Sequence, residues 1–336
     1  MLTEALQAPQ AVARLLAADA DVLAVIAEAW RAAPPTGVLT LARGSSDHAA
    51  SYFAYLVMAR LGWLVTSLPM SVVTLYGTRL QSERLWSLAF SQSGRSPDLI
   101  EPQAAFKAQG ARTLAIVNDA HSPLAEAAEW VLPLHAGPEA SVAATKSFIA
   151  QLVVGARLVA SIGGDARLRD ALQGLPDVLA QAAQQDWSAG LDALRASDGL
   201  FVVGRGAGLA VALEAALKLK ETCGLHAEAF SAAEVQHGPK ALLRHDFTVL
   251  VLAPRGPAHS GLVAAAEGFR QHGARVLLAA PPGTPGADLP LLTAGHEDLD
   301  PISAIQSFYP FVEALARERG LDPDQPRHLA KVTLTR

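Results

Sequence analysis

The stretch from Trp86 to Asp98 reads WSLAFSQSGRSPD and joins an apolar run directly to a loop of serines and glycine. Its apolar part, Trp86 to Phe90, is predicted to be a buried β-strand, and a helix is predicted from about Asp98 to Gln109. Where such a loop opens a helix, its backbone N–H groups and hydroxyls point toward the place that an anion would occupy. Gly94 permits a tight turn close to a ligand. A small phosphate ester fits such a loop, although serine-glycine turns are also ordinary helix N-caps.

Apolar runs and helices alternate on both sides of this stretch. Two helices are predicted over Leu2–Ala33, before a Pro-Pro pair interrupts the pattern. Further strands are predicted at Gly37–Leu41, Val65–Pro69, Thr113–Val117 and Trp130–Leu134. This order predicts a parallel, doubly wound α/β sheet.

The second half of the chain repeats the plan of the first at an offset of 162 residues. The offset carries Arg43-Gly44 onto Arg205-Gly206, and it carries Trp86–Phe90 onto the apolar run Thr248–Leu252. The strand Thr113–Val117 falls on the run that contains Val276. We therefore expect two copies of one α/β unit. The predicted parts are N-terminal helices at 1–34, a first unit at 35–162, a helical linker at 163–194, a second unit at 195–300, and a C-terminal helix with a tail at 301–336.

Composition narrows the function classes. The net charge of −5 gives no general attraction to nucleic acid or to anionic membranes. There is no N-terminal secretory signal, and the most apolar run, Leu200–Leu219, is interrupted by charged residues, so we expect a cytoplasmic protein without a membrane span. The single cysteine, Cys223, is predicted to be a buried structural thiol.

Titratable residues are concentrated between Ala212 and Leu243. On a predicted helix, Glu214, Lys218 and Glu221 fall at i, i+4 and i+7 and share one face. The spacing alone allows two interpretations, a solvated face with ion pairs or a proton-transfer site. Four more titratable residues follow, namely His226, Glu228, Glu234 and His237. His226 and His48 adjoin apolar runs and are predicted to be packed core histidines.

Common sequence motifs for nucleotide cofactors and metal ions do not occur in the sequence. There is no GxGxxG or Walker A sequence, which gives dinucleotides and nucleoside triphosphates little support. There is no CxxC or HExxH spacing, so a metal site is not expected. We predict that the protein uses no cofactor.

An ordered series of motifs extends over nearly the whole chain and resembles the SIS-domain sugar isomerases. The motifs are Gly44–Ala49, Ser91–Gly94, Gly137–Glu139, Val142–Lys146, Ala212–Glu221, His226–Ala229, His237–Pro239 and Asp324–Lys331. The series is similar to the isomerase half of glucosamine-6-phosphate synthase and most similar to the stand-alone, synthase-like glucosamine-6-phosphate deaminases. The resemblance implies two tandem flavodoxin-like SIS subdomains, with a C-terminal tail over the active site.

The resemblance also implies roles for individual residues. The phosphate would be held by the hydroxyls of Ser46, Ser91, Ser93 and Ser96 and by the region of Gln92. Glu221 would move a proton between C1 and C2 of the sugar. Other members of the implied site are Lys218, Glu214, Val142 and Ala330. His237 would assist ring opening from the neighbouring subunit of a homodimer, and Lys331 would form an imine with the C2 carbonyl.

Two departures from the synthase point to a deaminase. The glutamine-hydrolysing domain is expected to be absent, because Met1 is followed by Leu2 and Cys223 is internal. The phosphate loop reads SQSGRSPD, and its Arg95 either adds positive charge beside the phosphate or faces solvent. We therefore predict deamination of glucosamine 6-phosphate to fructose 6-phosphate and ammonia. The alternatives are a galactosamine-6-phosphate deaminase/isomerase, a fructosamine-6-phosphate deglycase and a non-catalytic sugar-phosphate sensor.

Overall fold

The computed structural model describes residues 1–331, and the chain divides into two compact units. The N-terminal sheet unit consists of Gln10–Glu139 and Lys146–Gln173, together with Ala330 and Lys331. The C-terminal sheet unit consists of Met1–Pro9, Ala140–Thr145 and Gly174–Leu329. The predicted tail beyond Lys331 lies outside the described residues.

Strands and helices alternate along the chain, as the apolar runs predict. The strands are β1 (Gly37–Leu41), β2 (Val65–Ser67), β3 (Leu85–Ser91), β4 (Arg112–Val117), β5 (Trp130–Pro133), β6 (Gly199–Gly204), β7 (His226–Ser231), β8 (Thr248–Leu252), β9 (Arg275–Ala280) and β10 (Leu289–Pro290). The α-helices are α1 (Leu2–Leu6), α2 (Ala8–Ala17), α3 (Ala20–Ala32), α4 (Ser45–Leu56), α5 (Ser71–Thr74), α6 (Pro97–Ala108), α7 (Pro123–Ala127), α8 (Lys146–Gly163), α9 (Ala166–Gln173), α10 (Leu175–Ala182), α11 (Ser188–Leu194), α12 (Gly208–Cys223), α13 (Ala232–Val235), α14 (His259–Gln271) and α15 (Asp300–Glu318).

Each unit contains a five-stranded parallel sheet of the same topology. The strand order is β2-β1-β3-β4-β5 in the N-terminal sheet unit and β7-β6-β8-β9-β10 in the C-terminal sheet unit. This is the 2-1-3-4-5 order of flavodoxin-like folds, in which ligands bind at the carboxyl ends of the strands. The predicted fold class, two tandem doubly wound α/β units, is confirmed.

The register of the strands shows how closely the two sheets correspond. Val38 pairs with Trp86 in the first sheet, and Leu200 pairs with Thr248 in the second, so both partners differ by 162 positions. The fourth strands differ by 163, because Trp86 pairs with Arg112 and Thr248 pairs with Arg275. The second unit thus has one more residue between its third and fourth strands.

Burial explains why the central strands are continuously apolar. Residues 86–91 of β3 are all buried, as are all five residues of β8. A parallel sheet covered by helices on both faces requires apolar side chains at successive positions. The buried hydroxyl of Ser87 interrupts the apolar run of β3, and it donates a hydrogen bond to Gln103 Oε1 at 2.7 Å.

The N-terminal segment differs from the sequence prediction, and one later helix contains an irregular turn. The N-terminal segment forms three helices instead of two, and Asp19, just before α3, adopts a left-handed φ of 57°. The helix that begins at Ser45 continues into a π-helical turn, Val57–Leu61, which ends at Gly62 with a φ of 73°. Single π turns inside α-helices are rare, so a helical pattern in the sequence does not predict them.

Helix α8 is long and apolar enough, by length and composition, to cross a membrane. However, 83% of its 18 residues are buried inside the structure. Within its unit it packs against α3 and α4. A core helix passes the same test of length and composition.

Candidate functional site

The serine-rich loop after β3 is a tight turn closed by its own hydroxyls. Ser91 Oγ accepts a hydrogen bond from the N–H of Gly94 at 3.0 Å, and Ser93 Oγ accepts one from the N–H of Arg95 at 3.3 Å. Each hydroxyl oxygen uses a lone pair in this way, so its proton stays available to an anion. Gly94 has a φ of 64°, and a Cβ atom there would lie 2.0 Å from Ser122 Oγ. Only glycine fits this position.

Ser96 occupies the N-cap position of α6 but does not act as a cap through its side chain. Its backbone is extended, Pro97 is the first helical residue, and the Ser96 side chain makes no capping hydrogen bond. The loop is therefore more than an ordinary serine cap. The half-buried side chains of Gln92, Ser93 and Ser96 leave the loop partly open to solvent.

The loop after β1 is tied to the same edge of the sheet. Strands β1 and β3 are parallel neighbours, so the loops that follow them leave the sheet side by side. Ser46 Oγ accepts a hydrogen bond from the buried Gln151 amide at 3.0 Å. Arg43 Nε donates to Asp98 Oδ2 at 2.9 Å, and the Asp98 side chain is fully buried in the first turn of α6. The predicted phosphate residues of the N-terminal sheet unit thus lie on two adjacent, mutually linked loops.

Arg43 is a residue that sequence reasoning missed as part of this site. Its recurrence at Arg205 served only as a marker of the repeat. Its side chain remains 56% exposed while its Nε is anchored on buried Asp98. Burial raises the pKa of the neighbouring Asp47 carboxyl, although His48, Ser67 and Arg43 act in the opposite direction.

Arg95 faces solvent and forms an ion pair. Its Nη2 lies 3.0 Å from Asp119 Oδ2, and both side chains are exposed. The pKa of Asp119 is lowered, first by the hydrogen bond from the N–H of His121 and then by Arg95. Of the two predicted positions for Arg95, the structure favours the solvent-facing one.

The charged face of α12 is buried. Lys218 Nζ lies 3.3 Å from Glu214 Oε1 and 2.5 Å from Glu221 Oε2. The side chains of Lys218 and Glu214 are 1% and 0% exposed, which contradicts the interpretation of a solvated face. Burial acts to lower the pKa of Lys218, but the two carboxylates outweigh it and the pKa is raised. Lys218 therefore remains a cation at neutral pH.

Glu221 has one carboxylate oxygen fixed by Lys218, and its side chain is partly exposed. Its side chain is 20% exposed, and Lys218 donates to its Oε2. Its Oε1 has no hydrogen-bond partner among residues 1–331. Such a carboxylate is oriented by a buried cation and still open to a proton donor, which is the arrangement a general base requires.

Two histidines that the sequence singled out in the C-terminal sheet unit, His237 and His226, are exposed. His237 follows α13 in a turn closed by its N–H to Glu234 O at 2.9 Å, and within the described chain its side chain makes no hydrogen bond. His226 begins the edge strand β7 and is exposed, so the prediction that it packs in the core is wrong. An edge strand turns alternate side chains to solvent, and Ala227 is the buried neighbour. His48 is half-buried on α4.

Lys331 is held by a buried carboxylate of the N-terminal sheet unit. Its Nζ lies 3.0 Å from Oε2 of Glu139, whose side chain is fully buried. The preceding residue, Ala330, is exposed. Within the C-terminal sheet unit, half-buried Val142 lies in a segment whose start is fixed by Glu4, because the Glu4 carboxylate accepts the N–H groups of Ala140 and Ser141.

The thiol of Cys223 is buried, as predicted. It donates to the carbonyl oxygen of Val312 at 3.4 Å. Burial raises its pKa to about 11. A thiol that stays protonated at neutral pH is a poor nucleophile. Among residues 1–331, no group of three or more His, Cys, Asp and Glu side chains is arranged to hold a metal ion.

The sequence of the chain is similar to those of known proteins. The SIS domain model matches residues 36–161 and 193–307. The glutamine–fructose-6-phosphate aminotransferase of Methanothermobacter thermautotrophicus is 34% identical over 98% of this chain and 56% of that protein. The chain thus spans about half the length of the curated relatives it matches.

Two solved structures extend the comparison. A Silicibacter pomeroyi protein provisionally named a phosphosugar isomerase has a TM-score of 0.91 at 44% identity, covering 96% of this chain and 99% of that one. The glucosamine-6-phosphate deaminase of Thermotoga maritima has a TM-score of 0.75 at 22% identity, covering 98% of this chain and 100% of that one. At 22% identity the likeness concerns the fold. From the two matches of the family model and the two sheets of equal topology, we conclude that the chain belongs to the SIS-domain family and carries two SIS domains.

Proposed function

We propose that the protein is a glucosamine-6-phosphate deaminase, which converts the amino sugar phosphate and water into fructose 6-phosphate and ammonia. The observation that carries the proposal is the carboxylate of Glu221, which has one oxygen fixed by buried Lys218 and belongs to a side chain that stays 20% exposed. A carboxylate of this kind is a suitable base for the hydrogen on a carbon next to a carbonyl group. SIS-family relatives that act on sugar phosphates make such a step the expected chemistry.

The proposed reaction begins with the open-chain sugar, which has an aldehyde at C1 and an amino group at C2. Glu221 takes the proton from C2 while the C1 oxygen gains a proton, which gives an enaminol. Glu221 then returns a proton to C1, and the C2–N bond becomes a protonated imine. Water adds to C2 and ammonia leaves, so the product is the ketose phosphate. Lys218 holds the orientation of the Glu221 carboxylate through the contact with its Oε2.

The phosphate is proposed to bind the loops of the N-terminal sheet unit. The hydroxyls of Ser46, Ser91, Ser93 and Ser96 and the region of Gln92 supply its donors, and Val142, Glu214 and Ala330 contribute to sugar binding. Support comes from the loop geometry, because hydroxyl protons and the start of α6 are available at the carboxyl edge of the sheet. That the phosphate loops and Glu221 act on one substrate is a proposal based on family membership.

The choice of a deaminase over a simple isomerase is based on the loop sequence SQSGRSPD. Lys331 is proposed to exchange with the substrate nitrogen. Its amine would form a C–N bond to C2 as ammonia leaves, and water would then release the lysine. His237 is proposed to assist ring opening from the neighbouring subunit of a cytoplasmic homodimer, to which an exposed side chain is suited.

A substrate panel tests the proposal. Ammonia and fructose 6-phosphate are measured with glucosamine 6-phosphate, galactosamine 6-phosphate and fructosamine 6-phosphate. We expect the fastest release of ammonia, with stoichiometric ketose phosphate, from glucosamine 6-phosphate. Faster turnover of either other sugar would replace the proposed substrate. Tight binding of all three without turnover would contradict an enzyme and identify a sensor.

A further inference from the structure

Glu139 is a buried carboxylate to which the phosphosugar reaction described above assigns no role. It belongs to the Gly137–Glu139 motif between β5 and α8 and lies in the N-terminal sheet unit with all its partners named here. Its Oε1 accepts the N–H of Ser147 at 3.1 Å, and its Oε2 accepts the Ser147 hydroxyl at 2.6 Å. The same Oε2 lies 3.0 Å from Lys331 Nζ.

These contacts explain why a carboxylate is stable in a fully buried position. A buried charge needs both hydrogen bonds and an opposite charge. Ser147 lies in the first turn of α8, where N–H groups and the helix dipole favour a negative group. Two donors from one residue fix the direction of the carboxylate, and the ammonium of Lys331 supplies the opposite charge.

We propose that Glu139 is the positioning residue for Lys331: together with Ser147 it forms a seat that holds the lysine ammonium, and with it this part of the tail, on the N-terminal sheet unit. The role of the lysine in catalysis rests on the proposed function, whereas the seat itself does not. Lys331 is 24% exposed at this seat, so its amine remains reachable by a small molecule. The flexible four-carbon side chain of lysine would sample many rotamers without such a contact.

The seat is tested without substrate by competitive labelling of amines. Trace acetylation of the folded protein is followed by mass spectrometry of the peptide that contains Lys331, with exposed Lys220 as the internal reference. Glu139→Gln is expected to raise the relative labelling of Lys331 about tenfold, the equivalent of one charge-assisted hydrogen bond. Glu129→Gln removes a carboxylate that pairs with Arg112 at the surface of the same unit and is expected to leave the ratio unchanged.

The outcome is decisive even if Glu139→Gln does not fold. Glu139→Asp keeps the charge and shortens the side chain by one methylene, and it is expected to give labelling between wild type and Gln. Labelling of Lys331 at the wild-type ratio in the folded Gln or Asp variant would overturn the proposal.

The consequence for the reaction is tested by trapping. In the imine, Lys331 nitrogen is bonded to C2 of fructose 6-phosphate and the carbonyl oxygen has left as water, and borohydride reduces the C=N bond. We expect Glu139→Gln to lower trapping on Lys331 about tenfold while exchange of the C1 hydrogen with heavy water, which depends on Glu221, is retained. Equal loss of both would indicate general damage and contradict a positioning role. If the wild type showed neither trapping on Lys331 nor exchange of the C1 hydrogen, the proposed function would be refuted. The labelling result would still show whether Glu139 positions Lys331.

Discussion

Replacement of Gly94 by alanine tests whether the phosphate loop depends on the close approach of two backbone segments. Gly94 has a φ of 64°, and a Cβ atom there would meet Ser122 Oγ at 2.0 Å and Ser122 Cβ at 2.5 Å. Contacts under 3.0 Å force a shift of one segment. The left-handed backbone adds a separate cost, so the two effects need separate controls.

The structure supplies both controls. Gly110 has a φ of 86°, and a Cβ atom added there would have nothing within 4 Å, so Gly110→Ala carries only the backbone cost, about 1–2 kcal/mol. Gly94→Ala adds overpacking of about 1–3 kcal/mol, which gives a total near 3–4 kcal/mol. Ser122→Gly removes both clashing atoms and weakens the cap of α7, where Ser122 Oγ accepts the N–H of Ala125, at a cost of a few tenths of a kcal/mol. The double variant is therefore expected to lose only about 2 kcal/mol.

The assay is urea unfolding followed by tryptophan fluorescence. Four of the five tryptophans lie in the N-terminal sheet unit, so the signal reports on the unit that contains Gly94. The affinity of each folded variant for glucosamine 6-phosphate is measured in parallel. A double variant that is as unstable as the sum of the two single variants would refute the argument, because the close contact between Gly94 and Ser122 would then have no energetic effect.

Three further predictions concern the C-terminal sheet unit. Lys218→Met is expected to lower the free energy of unfolding by about 3–5 kcal/mol, because it leaves Glu214 buried without its cation. The double variant with Glu214→Gln is expected to regain part of the stability in a denaturant titration. It is expected to regain no activity in an assay of ammonia release. Burial raises the pKa of Cys223 from 9.0 to about 11, so its contribution to stability is complete below pH 9 and is lost as the pH rises toward 11, by about 3 kcal/mol. Denaturation of wild type and Cys223→Ala from pH 7 to 11 would contradict this reasoning if the difference between them did not change. Mixing Glu221→Ala chains with His237→Ala chains is expected to restore activity in mixed dimers, and a verified mixed dimer without activity would exclude a role for His237 in the neighbouring subunit.

The sheets could be predicted because burial of a strand requires a recognisable pattern of apolar residues in the local sequence. A parallel strand buried on both faces is nearly continuously apolar, and Trp86–Phe90 and Thr248–Leu252 each contain a single polar residue. Two copies of one unit then repeat the pattern at a constant offset, which the register of Val38 with Trp86 and of Leu200 with Thr248 confirms. Helix ends and the π turn at Val57–Leu61 left no comparable pattern.

The environment of the charged side chains could not be predicted from spacing. Glu214, Lys218 and Glu221 share a helix face whether that face is solvated or buried, and only the packing of α12 in the fold distinguishes the two cases. The error at His226 has the same origin, because an apolar neighbour does not reveal that the strand lies at the edge of a sheet.

Ion pairs between residues distant in the sequence could not be predicted, for a different reason. Arg43 and Asp98 are 55 positions apart, and Glu139 and Lys331 are 192 apart. Nothing in either local sequence indicates the partner, since ion pairs of this kind depend on how the loops leave the sheet. The motifs located the residues of the candidate site, and the fold was needed to show which of them are linked.

The role of Glu221 as the base is tested by the rate of ammonia release from glucosamine 6-phosphate, measured for wild type, Glu221→Gln and Glu228→Gln. Glu228 is an exposed carboxylate on β7 of the same unit and serves as the matched control. Removal of a general base is expected to lower the rate by about 100- to 10,000-fold in Glu221→Gln, whereas Glu228→Gln keeps the wild-type rate. Ammonia release by Glu221→Gln at the wild-type rate would contradict the assignment of Glu221 as the base.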